Sequence, residues 1–110
     1  MYKTILSEYF KNQLKKLAKK DPQIKNTFRD SILGFDKQKA ISIGLGIYKL
    51  RIKKNNTGKS KGYRLYIFIL EIEKILTPIC IYEKNSKSNM TKKELTHHLE
   101  KIQSELKILT

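Results

Sequence analysis

The sequence predicts an α+β fold: an N-terminal helical hairpin, a sheet of three to four strands and a C-terminal helix. Three observations carry this. Apolar residues recur at helical spacing near both ends of the chain. Through the middle they alternate with polar residues at period two. The segments between are punctuated by Pro, Gly and Asn.

Taken in order, a short strand is expected somewhere in Tyr2 to Leu6, ahead of the first helix. Ser7 offers an N-cap, and Phe10, Leu14, Leu17 and Ala18 then form one stripe, with Lys11, Lys15, Lys16, Lys19 and Lys20 around the rest of the surface. Asp21-Pro22 ends that helix and opens the next, because Asp caps well and Pro suits the first helical position. Ile24, Phe28 and Ile32 mark the buried stripe of the second helix until Gly34 stops it.

Gly44 and Gly46 lead into a strand through Tyr48-Lys49-Leu50-Arg51-Ile52-Lys53. The polar connection from Asn55 to Gly62 joins it to a second, Tyr63 to Leu70. A third strand follows from Ile75 to Lys84. Pro78 lacks an N–H, so this strand is expected at an edge or bulged there. Thr91-Lys92-Lys93-Glu94 is a capping-box pattern, and Leu95, Leu99, Ile102, Leu106 and Leu109 give the last helix its stripe.

Composition sets the limits. The 110 residues suit one domain, 1–110, with one core. At 39% hydrophobic residues, with six Tyr and four Phe, the chain is expected to fold despite a formal charge of +14. No apolar run resembles a signal peptide or a membrane span, so a cytoplasmic protein with no membrane association is expected. The single cysteine, Cys80, lies in an apolar run and reads as a core residue.

The charge is not spread evenly. From Lys37 to Leu70 there is no Asp or Glu, yet the stretch carries Lys37, Lys39, Lys49, Arg51, Lys53, Lys54, Lys59, Lys61 and Arg64. Alternation separates the faces of the strands that hold it. Tyr48, Leu50 and Ile52 point one way, with Tyr63, Leu65, Ile67 and Ile69, and in the third strand Ile75, Ile79 and Ile81 oppose Leu76, Cys80, Tyr82 and Lys84. If the apolar sets share one core, Lys49, Arg51, Lys53, Arg64, Tyr66, Tyr82 and Lys84 share the other face. Cations interleaved with tyrosines suit a single-stranded nucleic acid, whose phosphates they neutralise while its bases stack on the rings.

These residues resemble a family. Tyr48-Lys49-Leu50-Arg51, then Gly58-Lys59-Ser60-Lys61-Gly62-Tyr63-Arg64, then Ile81-Tyr82-Glu83-Lys84-Asn85, and a final helix opening on Lys-Lys-Glu, look like the RelE/ParE superfamily of toxins, in its RelE-like and HigB-like branch. Helical hairpin, antiparallel sheet and terminal helix come in that family's order. Lys61 stands where relatives generally carry a second Gly, and Glu83 where they usually carry a small residue.

The resemblance implies an endoribonuclease that cuts messenger RNA on the ribosome. Cleavage of RNA by its own 2'-hydroxyl needs a base, cations for the transition state and a donor for the leaving 5'-oxygen, and no metal or other cofactor. By position in the motifs, Lys49 and Arg51 would bind phosphate or act as base, Arg64 and Lys84 would stabilise the transition state, and Tyr82 would orient or stack on the scissile nucleotide. Lys53, Lys54, Lys59, Lys61 and Tyr66 are the expected further RNA contacts. The resemblance also implies a cognate antitoxin, an acidic segment from a helix-turn-helix protein.

Two rival functions compete. A gyrase-inhibiting, ParE-like toxin would lack a basic catalytic set on the sheet. A non-catalytic RNA-binding module of double-stranded type would carry a different start to its last helix. Three sharper-looking signals are discounted. Gly58-Lys59-Ser60 echoes a phosphate-binding loop but joins strand to strand. His97 and His98 have no clustered partner to make a metal site. The Asn-X-Thr patterns at Asn55 and Asn89 matter only to a secreted protein.

Overall fold

The computed structural model describes residues 1–53, 62–87 and 89–107. Strand β1 (Lys3–Thr4) precedes helices α1 (Glu8–Ala18) and α2 (Ile24–Leu33). Strands β2 (Ile41–Gly44), β3 (Ile47–Lys53), β4 (Gly62–Leu70) and β5 (Ile75–Glu83) follow, and α3 (Lys92–Leu106) comes last. All five strands form one sheet in the order β1-β5-β4-β3-β2.

The helix starts obey local chemistry. Ser7 Oγ accepts the Phe10 N–H at 3.0 Å, and Thr91 and Glu94 close a reciprocal capping box, with Glu94 Oε1 accepting from Thr91 N at 2.9 Å and Thr91 Oγ1 from Glu94 N at 3.1 Å. Helix α2 begins two residues later than the Asp-Pro signal suggests. Asp21 still receives the Gln23 N–H, and its other carboxylate oxygen accepts from the Tyr63 hydroxyl at 2.8 Å, tying the helical hairpin to β4.

The sheet departs from the sequence expectation by an extra strand at one edge and by the direction of pairing at the other. Strand β2 pairs antiparallel with β3 through a turn in which Gly44, Leu45 and Gly46 all have positive φ, at 91°, 58° and 77°. It was not expected as a strand because its four residues are short of burial, and burial is what writes a period-two pattern. The short strand expected in Tyr2 to Leu6 is β1, and it pairs parallel with Ile75 and Leu76 of β5, which makes mixed a sheet that was expected to be antiparallel.

Both faces of the sheet are packed. On one, α1 and α2 bring Phe10, Leu14, Ile24 and Phe28 against Ile52, Tyr63, Leu65, Ile67, Ile69, Leu76 and Ile81. On the other, α3 brings Leu95 and Ile102 against Ile47, Tyr66, Ile79 and Cys80. Expectation and structure part at β5. Cys80 pairs with Tyr66 but Pro78 with Ile67, so Ile79 is an extra residue, a bulge. The bulge moves Leu76 onto the face of Ile81 and puts Ile79 with Cys80, correcting the simple alternation. Strand β5 is no edge strand; β1 reaches only as far as Leu76, and Pro78 stands just beyond it.

Candidate functional site

Register lays the basic residues out in rows. In β3, β4 and β5 the partners are Lys49, Tyr66 and Cys80 in one row and Arg51, Arg64 and Tyr82 in the next. Beyond them Lys53 pairs with Gly62, whose carbonyl accepts the Lys84 N–H at 2.9 Å. Directly opposed side chains lie about 5 Å apart at Cβ. Only glycine fits at position 62: a Cβ there would lie 2.2 Å from the Ile52 carbonyl oxygen.

Arg64 sits at the centre and is only 6% exposed. Its Nε and Nη1 are buried with no hydrogen-bond partner among the described residues. The ion pairs among the described residues engage Lys11, Lys37, Lys74 and Lys87, and none involves Arg64, Arg51 or Lys53. Buried unpaired charge costs several kcal/mol, roughly, and proteins seldom keep it without use. The arrangement can take an anion with two acceptor oxygens.

Tyr82 flanks it. Its ring is nearly parallel to that of Tyr66, at 18° with centroids 6.3 Å apart, and its hydroxyl is buried without a regular hydrogen bond among the described residues. Burial first, then the neighbouring Tyr66 hydroxyl, pushes the Tyr82 phenol well above its ordinary value, while Arg64 pulls the other way. It therefore keeps its proton near neutrality. It can donate a hydrogen bond.

The remaining expected residues fall into four groups. Lys49 is half-buried and donates to Asn89 Oδ1 at 2.9 Å, a partner from the segment before α3 that no local pattern announces. Arg51 and Lys53 are exposed, and Lys84 is half-buried in the turn after β5. Tyr66, expected as a stacking platform for RNA, is instead 2% exposed, packed beneath α3, with its hydroxyl accepting the Met90 N–H at 3.2 Å. Lys54, Lys59 and Lys61 lie outside the described residues. Glu83 is on the other side of the strand, opposite Tyr63, so its carboxylate does not enter the basic face.

The sheet face is thus narrower than alternation implied. Helix α3 covers the end near Ile47, Tyr66 and Cys80, leaving the Arg51, Arg64 and Tyr82 row at its margin. It is held at its far end by Glu105, whose carboxylate accepts the Glu8 N–H at 2.6 Å and the Tyr9 N–H at 3.1 Å at the start of α1. Midway, His98 Nδ1 meets the Tyr9 hydroxyl at 2.5 Å. Among the described residues no group of three His, Cys, Asp or Glu could hold a metal ion, and no helix is long and apolar enough to cross a membrane. Cys80 is buried and its thiol is pushed up to about 12 by that burial, the state of an inert core residue.

Residues 4–110 match the sequence model of the RelE toxin of the RelE/RelB toxin-antitoxin system. The chain belongs to the RelE toxin family. Membership makes it the toxin of a toxin-antitoxin pair and implies an antitoxin partner. The fold agrees: the structure of a mutant of the E. coli toxin RelE in the free state superposes with a TM-score of 0.57 at 14% identity, covering 92% of this chain and 97% of that one. No curated protein matches in sequence.

Proposed function

We infer that this RelE-family toxin is a ribosome-associated endoribonuclease that cleaves messenger RNA by attack of the 2'-hydroxyl on the adjacent phosphate, without a metal, in the cytoplasm. The observation that carries the reading is Arg64, a buried guanidinium with two nitrogens unpartnered among the described residues, standing between Arg51 and Tyr82 in one cross-strand row. A site of this kind is complementary to charge that is absent in the resting protein and appears on the substrate.

In this mechanism Arg51 and Lys53, both exposed, meet the phosphates of the incoming strand. Arg64 binds the non-bridging oxygens as charge accumulates on them, and Lys84 adds to it from the end of the sheet. Tyr82, held in its protonated form, orients the scissile nucleotide or donates to the leaving 5'-oxygen. Lys49, fixed by Asn89, is the candidate base for the 2'-hydroxyl. Each acid or base role contributes roughly 10² to 10⁴ in rate. Lys54, Lys59 and Lys61 are proposed to extend the phosphate track, with an acidic antitoxin segment covering the same cations when bound.

The test is direct. Purified toxin is added to translating ribosomes and the message is mapped by primer extension. New ends within codons are expected. Intact message together with inhibited gyrase would replace this reading by a topoisomerase inhibitor, and intact message with retained RNA binding by a plain RNA-binding module.

A further inference from the structure

Strand β5 carries Tyr82, yet among the described residues its outer edge is almost bare of strand pairing. Strand β1 pairs only with Ile75 and Leu76, and the bulge at Ile79 interrupts the inner ladder just before Tyr82. A strand with an open edge and a bulge should flex at that point. It is not left open. From α1 the Gln13 carboxamide reaches across, its Nε2 donating to the Ile79 carbonyl at 3.3 Å and its Oε1 accepting the Ile81 N–H at 3.0 Å.

One side-chain amide thus stands in for the peptide unit that a neighbouring strand would have supplied. It binds residues two apart, spanning the end of the bulge, and its second bond is to the residue that precedes Tyr82. A planar carboxamide carries donor and acceptor on one edge and so makes both bonds at once, the chemistry of Gln and Asn. Asn is one methylene short from this helix position. Gln13 also lines the cleft between α1 and the end of β5, beside Tyr82. No other side chain among the described residues hydrogen-bonds the outer edge of β5 at these residues.

We propose that Gln13 is a positioning residue for Tyr82: it locks the bulged edge of β5 so that the phenol is presented to the scissile nucleotide. The proposal rests on the ribonuclease reading. Misplacing a reacting group by about 1 Å can cost on the order of 10²-fold in rate, so removal of the clamp should act on turnover more than on binding.

The experiment uses the full chain as Gln13→Ala, Gln13→Glu and Tyr82→Ala, and the double variant Gln13→Ala with Tyr82→Ala. Alanine suits the middle of α1, so Gln13→Ala should fold. Its ribosome-dependent cleavage at saturating toxin should fall about tenfold with half-saturation little changed. Gln13→Glu, which keeps the acceptor and loses the donor, should lie between. In the Tyr82→Ala background, Gln13→Ala should cost nothing further, because there is no longer a phenol to position. A loss that multiplies with that of Tyr82→Ala would overturn the proposal. Amide exchange in the isolated protein is read in parallel, and faster exchange at Ile81 is expected in Gln13→Ala. Unchanged exchange there would overturn the clamp itself, even if the wild type proved not to cleave RNA, which would instead be a failure of the ribonuclease reading.

Discussion

Arg51 and Arg64 stand directly opposite each other across the β3–β4 ladder, and neither has a carboxylate partner among the described residues. Like charges so placed destabilise a sheet, and here one of them is also buried. Replacing Arg64 by an apolar residue of similar length should relieve both costs. Arg64→Met is expected to melt on the order of 5 °C higher than wild type, while cleavage falls by a factor of about 10² or more. Arg64→Lys should not restore cleavage, since an ammonium cannot engage two phosphate oxygens in a fork. Calorimetry and message mapping on the same preparations check both halves. Full toxicity of the Arg64 variants in cells would remove this row as the active site.

A second expectation concerns salt and metal. With Arg51, Lys53 and the cations of the 54–61 segment meeting phosphates, log affinity for a single strand should fall against log salt by about 0.7 per contact. Filter binding at several potassium concentrations measures the slope, and a flat response would end the phosphate-track argument. Cleavage should also continue in excess chelator once ribosome integrity is controlled. Magnesium-restorable loss on free RNA is the contrary result.

Gly62 supplies a third. Its missing Cβ makes room for the Ile52 carbonyl, and its own carbonyl receives the Lys84 N–H. Gly62→Ala must push β3 and β4 apart at the end that carries Lys53 and Lys84. A loss of roughly 2 kcal/mol in unfolding free energy is expected, with cleavage reduced further than stability alone explains. Urea unfolding beside initial cleavage rates would show it.

The fourth is a pH dependence. Burial, and then the neighbouring His97, lowers the pKa of His98 below its ordinary value, against a smaller pull upward from Glu94. The folded protein therefore binds fewer protons here than the unfolded chain does. This contribution to stability is complete above about 6.5, the unfolded value, and is lost as pH falls through the folded value. Since His98 meets Tyr9, the docking of α3 on α1 should be what loosens. Thermal melts between pH 7.5 and 5 should show a fall for wild type that is smaller in His98→Gln.

Much of this molecule is legible in one dimension because its signals are local. Ser7, Gly34 and the Thr91–Glu94 box act within one helical turn, and the stripes of α1, α2 and α3 need only a periodicity. The basic stretch around Lys49, Arg51 and Arg64 is visible for the same reason: the absence of carboxylates is a property of composition. What the sequence by itself determined is which elements form and which residues carry charge. Tertiary structure decided the rest, because those facts depend on residues far apart in the chain. Tyr66 reads as an exposed ring until α3, arriving from beyond the sheet, covers it. Arg64 reads as a surface cation until β3 and β5 close on either side. The side-chain directions of Leu76 and Ile79 follow from a bulge whose register is set by pairing with β4, and the clamp on β5 comes from Gln13, one polar residue among many on α1, which acquires a role only when the helix is laid along that strand.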